Sequence, residues 1–369
     1  MTEKTAKYIE FVAPYTFEAR EIHRPAIGED DLLLKISLCG VDGSELHMFR
    51  GELQWVNDMA PLIFGDEIVG TVEEIGDRAR RQRKLEVGDR VALEAKWPCN
   101  QCSSCLRRQY YLCDVHGIIS GYGATTSKSP PFLWGGYSTH AFVPKQALVY
   151  KIPDTLHDST ALIGCSVLAN GIRWVEESGV GDGDHVLIVG PGPQGLACAL
   201  VALSLGAKVS MVGLRDDASR LELAMKFGVH NTFYVLPDGP EGLAARVLQE
   251  AGQADVVIDL AGVQDAKLLG FAVVRKMGTF VNVALPFPSA QSMNWLDLLA
   301  REIRILSYAS HPYTVEAGLA MAEKLLEKGI DIGSWITHIY PLGQAQIALE
   351  AAAYQTEERP IKVALNPQH

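Results

Sequence analysis

The sequence has no apolar stretch approaching the ~18 residues that a membrane-crossing helix needs. Its first residues, MTEKTAKYIEF, carry no apolar signal segment either. No membrane partner is expected, and the cytoplasm is the expected compartment. An excess of basic charge is also missing: 33 Lys and Arg stand against 44 Asp and Glu, a formal charge of −11. A nucleic-acid binder shows a basic face, so nucleic acid is not an expected partner. One short basic run, RARRQRK at 78–84, is read first as a solvated turn, with contact to a phosphorylated ligand as the alternative. There is no internal repeat and no low-complexity linker. Cysteine is sparse, with seven among 369 residues, but four of the seven are clustered. In a reducing compartment such clustering points to metal rather than to disulfides. A chain that is 48% hydrophobic buries a sizeable core without cross-links.

The length suggests two domains. Residues 1 to about 150 read as short strands broken by turns: DLLLKISL, IVGTVEEIG, DRVALEA and HAFVPKQALVYKIP. From DSTALIGCSVLANGIRWVEESGV the pattern becomes helical, with Asp158 or Ser159 expected as cap and Gly179 as terminator. Strands then alternate with helices: HVLIVG, GLACALVALSLG, KVSMVG, ASRLELAMKFG, ADVVIDLAG and GTFVNVAL. That alternation implies a parallel, doubly wound sheet. The tail RPIKVALNP returns to strand character.

Two motifs carry chemistry. CNQCSSCLRRQYYLC sets Cys99, Cys102, Cys105 and Cys113 at C-x2-C-x2-C-x7-C spacing. Four thiolates close a tetrahedral zinc shell and leave no position for substrate, so the expected metal is one structural zinc per chain. An iron–sulfur cluster is the alternative. The second motif, GPGPQG, places Gly190, Gly192 and Gly195 in G-x-G-x-x-G spacing, with Pro193 and Gln194 between the last two. It follows a buried strand and opens a helix, the setting in which this pattern binds a dinucleotide pyrophosphate at the helix N-terminus. The next strand ends at Gly213 rather than at a carboxylate, and LRDD follows. Arg215 suits the 2′-phosphate of NADP; Asp216 or Asp217 would suit the 2′-hydroxyl of NAD if the loop folds back. NADP is the first reading and NAD the second.

These features, with LCGVDGSELH, GDEIVGTVEEIG, VGDRVALEA, ALIGCS and RPIKVAL, resemble the zinc-containing alcohol dehydrogenases of the medium-chain dehydrogenase/reductase superfamily. The resemblance spans nearly the whole chain. It implies an α/β protein with a GroES-like β-rich catalytic domain (1–167 and 310–369) and a Rossmann domain (168–309). It further implies a homodimer or homotetramer and an active site in the cleft between the domains. The family's catalytic zinc is held by Cys, His and Cys. Carried over, those positions fall on Asp42, Asp66 and Cys165, so only the last keeps its type. Cys39 stands three residues before the first position and is read as a packed thiol. Ser44 and His47 match the family's proton relay. Glu45 replaces an Asp that supports the site, and Lys362 falls near a basic residue that meets the coenzyme pyrophosphate.

Two readings of the altered site stay open. Carboxylate oxygens bind zinc, so a second zinc at Asp42, Cys165 and either Asp66 or Glu67 is one. A vacated site is the other, with one of the crowded acids protonated and donating. The expected reaction is a secondary alcohol or polyol to a ketone by hydride transfer near Asp42, Ser44, Asp66 and Cys165. The alternatives are metal-free reduction of a conjugated carbon–carbon double bond, and a non-catalytic NADP-binding protein. Trp55, Phe64, Trp97, Tyr122 and Trp134 are read as core first and as lining for a flat substrate second.

Overall fold

Strand β1 (Leu32–Gly40) forms where Leu32, Leu33, Leu34 and Ile36 follow one another, and all four are fully buried. A run buried on both faces belongs in the middle of a sheet. β1 indeed has partners on both edges. It pairs antiparallel with β2 (Ile68–Ile75) and with His140–Val143. The computed structural model describes residues 4–116, 121–285 and 291–369. Two compact units result: Met1–Ser166 together with Val315–His369, and Val167–Thr314.

After β1 the chain enters helix α1 (Gly43–Phe49). The basic run, expected as a turn, is a short helix, Asp77–Arg83. Its charges are engaged locally: Arg78 pairs with Glu29 and Asp30, Arg80 with Glu86, and Arg83 donates to the carbonyls of Pro144 and Ala147. The five candidate cleft aromatics lie in or against the core of this unit. Trp97, for example, packs on Tyr122 and Trp134 at centroid distances of 5.0 and 5.8 Å.

The expected long helix begins at Asp158, but His157 occupies its cap position and Asp158 is turned to Arg90 (2.9 Å). A π turn over Ile163–Leu168 carries Cys165. Gly179, in the left-handed region at φ +83°, follows the helix end at Glu177.

In the second unit β3 (His185–Val189) leads through the glycine loop into α2 (Pro193–Ser204), and β4 (Lys208–Gly213) follows. β5 (Ala254–Asp259) pairs with the other edge of β3. Among the described residues six parallel strands form this sheet. In chain order they run 3-2-1-4-5-6 across it, the Rossmann arrangement. The chain then returns to the first unit. Its last strand, β6 (Lys362–Asn366), lies antiparallel to β1 with Ala364 opposite Gly40 and Leu365 opposite Cys39. No helix among the described residues is long and apolar enough to cross a membrane.

Candidate active site

The glycine loop sits where the strand order reverses, between β3 and β5. In open parallel sheets that switch point is where ligands bind. Gly190 has φ +109°, which side chains resist. Gly192 caps α2, and Pro193 opens its first turn. A Cβ on Gly195 would lie 2.0 Å from the Gly190 carbonyl oxygen, whereas one on Gly192 would meet nothing within 4 Å. The first contact requires glycine for packing; the second leaves open space in front of the N–H groups of a twelve-residue helix. Gln194 Oε1, in the first turn of α2, is buried without a hydrogen-bond donor, as a group that meets a polar ligand would be. These features fit a dinucleotide.

Beyond β4, Gly213 is glycine because Pro191 packs on it: an added Cβ would approach Pro191 Cγ to 2.7 Å. Asp217 is turned inward. It accepts from the Leu214 N–H at 3.0 Å and from Arg220 at 3.3 Å. Arg215 and Asp216 are exposed.

In the first unit the acids gather around the start of α1. Asp42 caps this helix, its Oδ1 accepting from the Ser44 N–H at 3.0 Å. Glu45 closes the capping box by accepting from the Asp42 N–H at 3.0 Å. Glu45 is buried and also takes the Gly65 N–H (2.7 Å) and the Tyr137 hydroxyl (2.7 Å). Asp42 therefore has a structural task, and D-G-S-E was legible as a capping box.

Glu67 is held by one ion pair and one hydrogen bond. Its Oε2 pairs with Lys362 Nζ at 2.6 Å and its Oε1 accepts from Ser166 Oγ at 3.1 Å. Gly40 makes room for it, since a Cβ there would lie 1.8 Å from Glu67 Oε2. Lys362, expected at the coenzyme pyrophosphate, is buried, pairs with Glu67 and donates to the Val41 carbonyl (2.9 Å). Burial opposes charge on this ammonium, but the Glu67 and Asp42 carboxylates outweigh that and hold its pKa above the usual lysine range.

Asp66 is pushed up to about 7, by burial first and then by the charges of Asp42 and Glu67, against the pull of Lys362 and Lys96. Cys165 is buried, with Sγ donating to the Leu162 carbonyl at 3.5 Å, and burial raises its pKa. Cys39 is a packed thiol whose Sγ would lie 2.6 Å from a Cβ on Gly65. Asp42, Asp66, Glu67 and Cys165 do not converge on a common coordination sphere. Among the described residues only the four-cysteine group offers three or more ligand atoms with that geometry.

On α1, Ser44 and His47 are three residues apart and share a helix face. His47 Nδ1 meets Glu52 Oε2 at 2.5 Å. The sequence reading missed Glu52, Ser166 and Lys96. Ser166 closes the ALIGCS motif without a role assigned to it there, Glu52 follows the end of α1, and Lys96 acts on Asp66 through the fold.

The four cysteine sulfurs all lie within 4.8 Å of one another, a spread that fits one tetrahedral zinc. Cys99 Sγ accepts the Cys102 N–H (3.3 Å), and Cys102 Sγ accepts those of Cys105 and Asp114 (both 3.4 Å). Such donors favour thiolate, and with the Cys105 N–H foremost they draw Cys102 down to about 6.

Behind the lobe, buried Glu94 accepts from Tyr110 and from Tyr150 (3.2 Å). Burial pushes Glu94 up to about 7 despite both tyrosines. Its folded pKa thus exceeds the unfolded 4.5, so its stabilising contribution is complete below that value and is lost as pH rises through about 7. Glu94→Gln is expected to remove this pH dependence and to stabilise the fold at about pH 8 by up to roughly 3 kcal/mol. Urea unfolding across that range checks it.

Residues 28–154 match the family model of the alcohol dehydrogenase GroES-like domain, and residues 193–324 match that of the zinc-binding dehydrogenase. A Mycobacterium tuberculosis protein named as a probable alcohol dehydrogenase is 36% identical over 273 residues, 73% of each chain. The D-arabitol-phosphate dehydrogenase of Enterococcus avium is 29% identical over 354 residues, 93% of this chain and 92% of its own. Among solved structures, a Sinorhizobium meliloti protein described as a zinc-binding dehydrogenase and bound to NADP superposes with a TM-score of 0.82 at 25% identity. That alignment covers 99% of this chain and all of that one.

Proposed function

The chain belongs to the zinc-type medium-chain dehydrogenase/reductase family and is an alcohol oxidoreductase, and from that premise we propose that it interconverts a secondary alcohol or polyol and a ketone with NADP. Bound NADP supplies the hydride acceptor. The observation that carries the reading is the His47–Glu52 contact on α1. A carboxylate only accepts, so Nδ1 carries the ring proton and Nε2 is the basic nitrogen of the neutral imidazole. In the oxidation direction the substrate hydroxyl gives its proton to Ser44, which passes it to His47. Asp66 borders the same cluster and steadies the substrate oxygen by hydrogen bonding while protonated.

Arg215, exposed just past β4, supports a 2′-phosphate, and the inward turn of Asp217 removes one carboxylate that would favour a 2′-hydroxyl. The relative solved with NADP supports the same choice. The four cysteines hold the structural zinc and take no part in the chemistry.

The test is a panel of secondary alcohols and polyols with NADP, followed by the absorbance of the reduced coenzyme. Turnover is expected, with Ser44→Ala lowering kcat by about 10²-fold and leaving coenzyme affinity unchanged. Absence of turnover with every alcohol by protein that binds NADPH contradicts the reading.

A further inference from the structure

We infer that the position of the second metal is closed in this chain, and that the buried ammonium of Lys362 is its resident cation. The inference concerns the site on which the alcohol chemistry above rests. Three of the four donors a zinc would draw on there already have another partner, and the four do not share the geometry of a metal site. Asp42 caps α1 through Oδ1. Glu67 has one oxygen on Lys362 at 2.6 Å and the other on Ser166 at 3.1 Å. The Cys165 thiol donates to the Leu162 carbonyl.

Lys362 does not swing in from a flexible surface arm. It opens strand β6, whose register against β1 is set by Ala364–Gly40 and Leu365–Cys39 pairing. The Val41 N–H donates to the Val363 carbonyl at 3.0 Å, and Lys362 Nζ returns a bond to the Val41 carbonyl, one residue before Asp42. The ammonium is therefore built into the sheet, and its side chain is 5% exposed. It already neutralises Glu67, and a zinc ion beside it would meet a like charge.

The test is metal counting. Native protein from zinc-supplemented culture, purified without chelator, is expected to hold one zinc per chain. Asp42→Asn and Cys165→Ser should each retain that one zinc, and Cys102→Ser should lose it. Two zinc ions per chain, with the second lost in Cys165→Ser, overturns the inference; so does a single zinc that survives Cys102→Ser. Turnover and metal content are read separately. Two zinc ions with alcohol turnover would sink this inference and leave the proposed reaction standing. One zinc in the cysteine lobe without turnover of any alcohol would do the reverse.

Discussion

Gly195→Ala is expected to lower NADPH affinity by at least about 100-fold, close to 3 kcal/mol, and to lower thermal stability as well. The added Cβ would lie 2.0 Å from the Gly190 carbonyl oxygen and 3.1 Å from its carbonyl carbon. Both are backbone atoms, so relief requires the N-terminus of α2 to lift from β3. That movement misdirects the N–H groups on which a pyrophosphate would sit. Gly192→Ala provides the contrast. Gly192 has φ −63° and ψ 177°, which alanine adopts, and its Cβ meets nothing within 4 Å. It should fold as stably as the parent and lose affinity only, because the space it fills is the ligand's. Equilibrium titration with NADPH and thermal melts of both variants separate the two effects. Equal melting points would contradict the packing argument.

Lys362→Met is expected to destabilise the protein by about 3–5 kcal/mol, the usual cost of leaving one partner of a buried ion pair alone. Glu67 is 2% exposed and would keep only the Ser166 hydroxyl. Asp42 and Asp66 add repulsion, as their effects on the pKa values of Glu67 and Asp66 show. Adding Glu67→Gln to Lys362→Met should recover most of the loss, because the uncompensated charge is then gone. Urea unfolding of both single variants and the double gives the coupling between the two residues. Additive losses would mean that the 2.6 Å contact contributes nothing.

The features legible in the sequence are those whose constraint is local. Gly190 and Gly195 mark the turn because a positive φ and a backbone contact exclude other residues. The spacing of Cys99, Cys102, Cys105 and Cys113 marks the lobe because a single ion must be reached by all four. The alternation of strand and helix after residue 185 announced the parallel sheet.

What stayed hidden depends on where distant segments meet. Asp42 was read as a substituted metal ligand; the structure also makes it the cap of α1, which the following Glu45 signals. Lys362 reaches Glu67 only because the last strand docks beside β1, a pairing that no local pattern encodes. Asp217 and Arg215 are two positions apart, and only the fold of the loop turns one inward and leaves the other exposed. Glu52 lies beyond the end of α1, and its contact with His47 depends on how the chain turns after that helix.

The most direct test of the whole account is equilibrium titration of folded, zinc-replete protein with NADPH and, in parallel, with NADH. The account predicts saturable binding of both, tighter for NADPH, with the difference removed in Arg215→Ala. Protein whose cysteine lobe is loaded with zinc but which binds neither reduced coenzyme would contradict it.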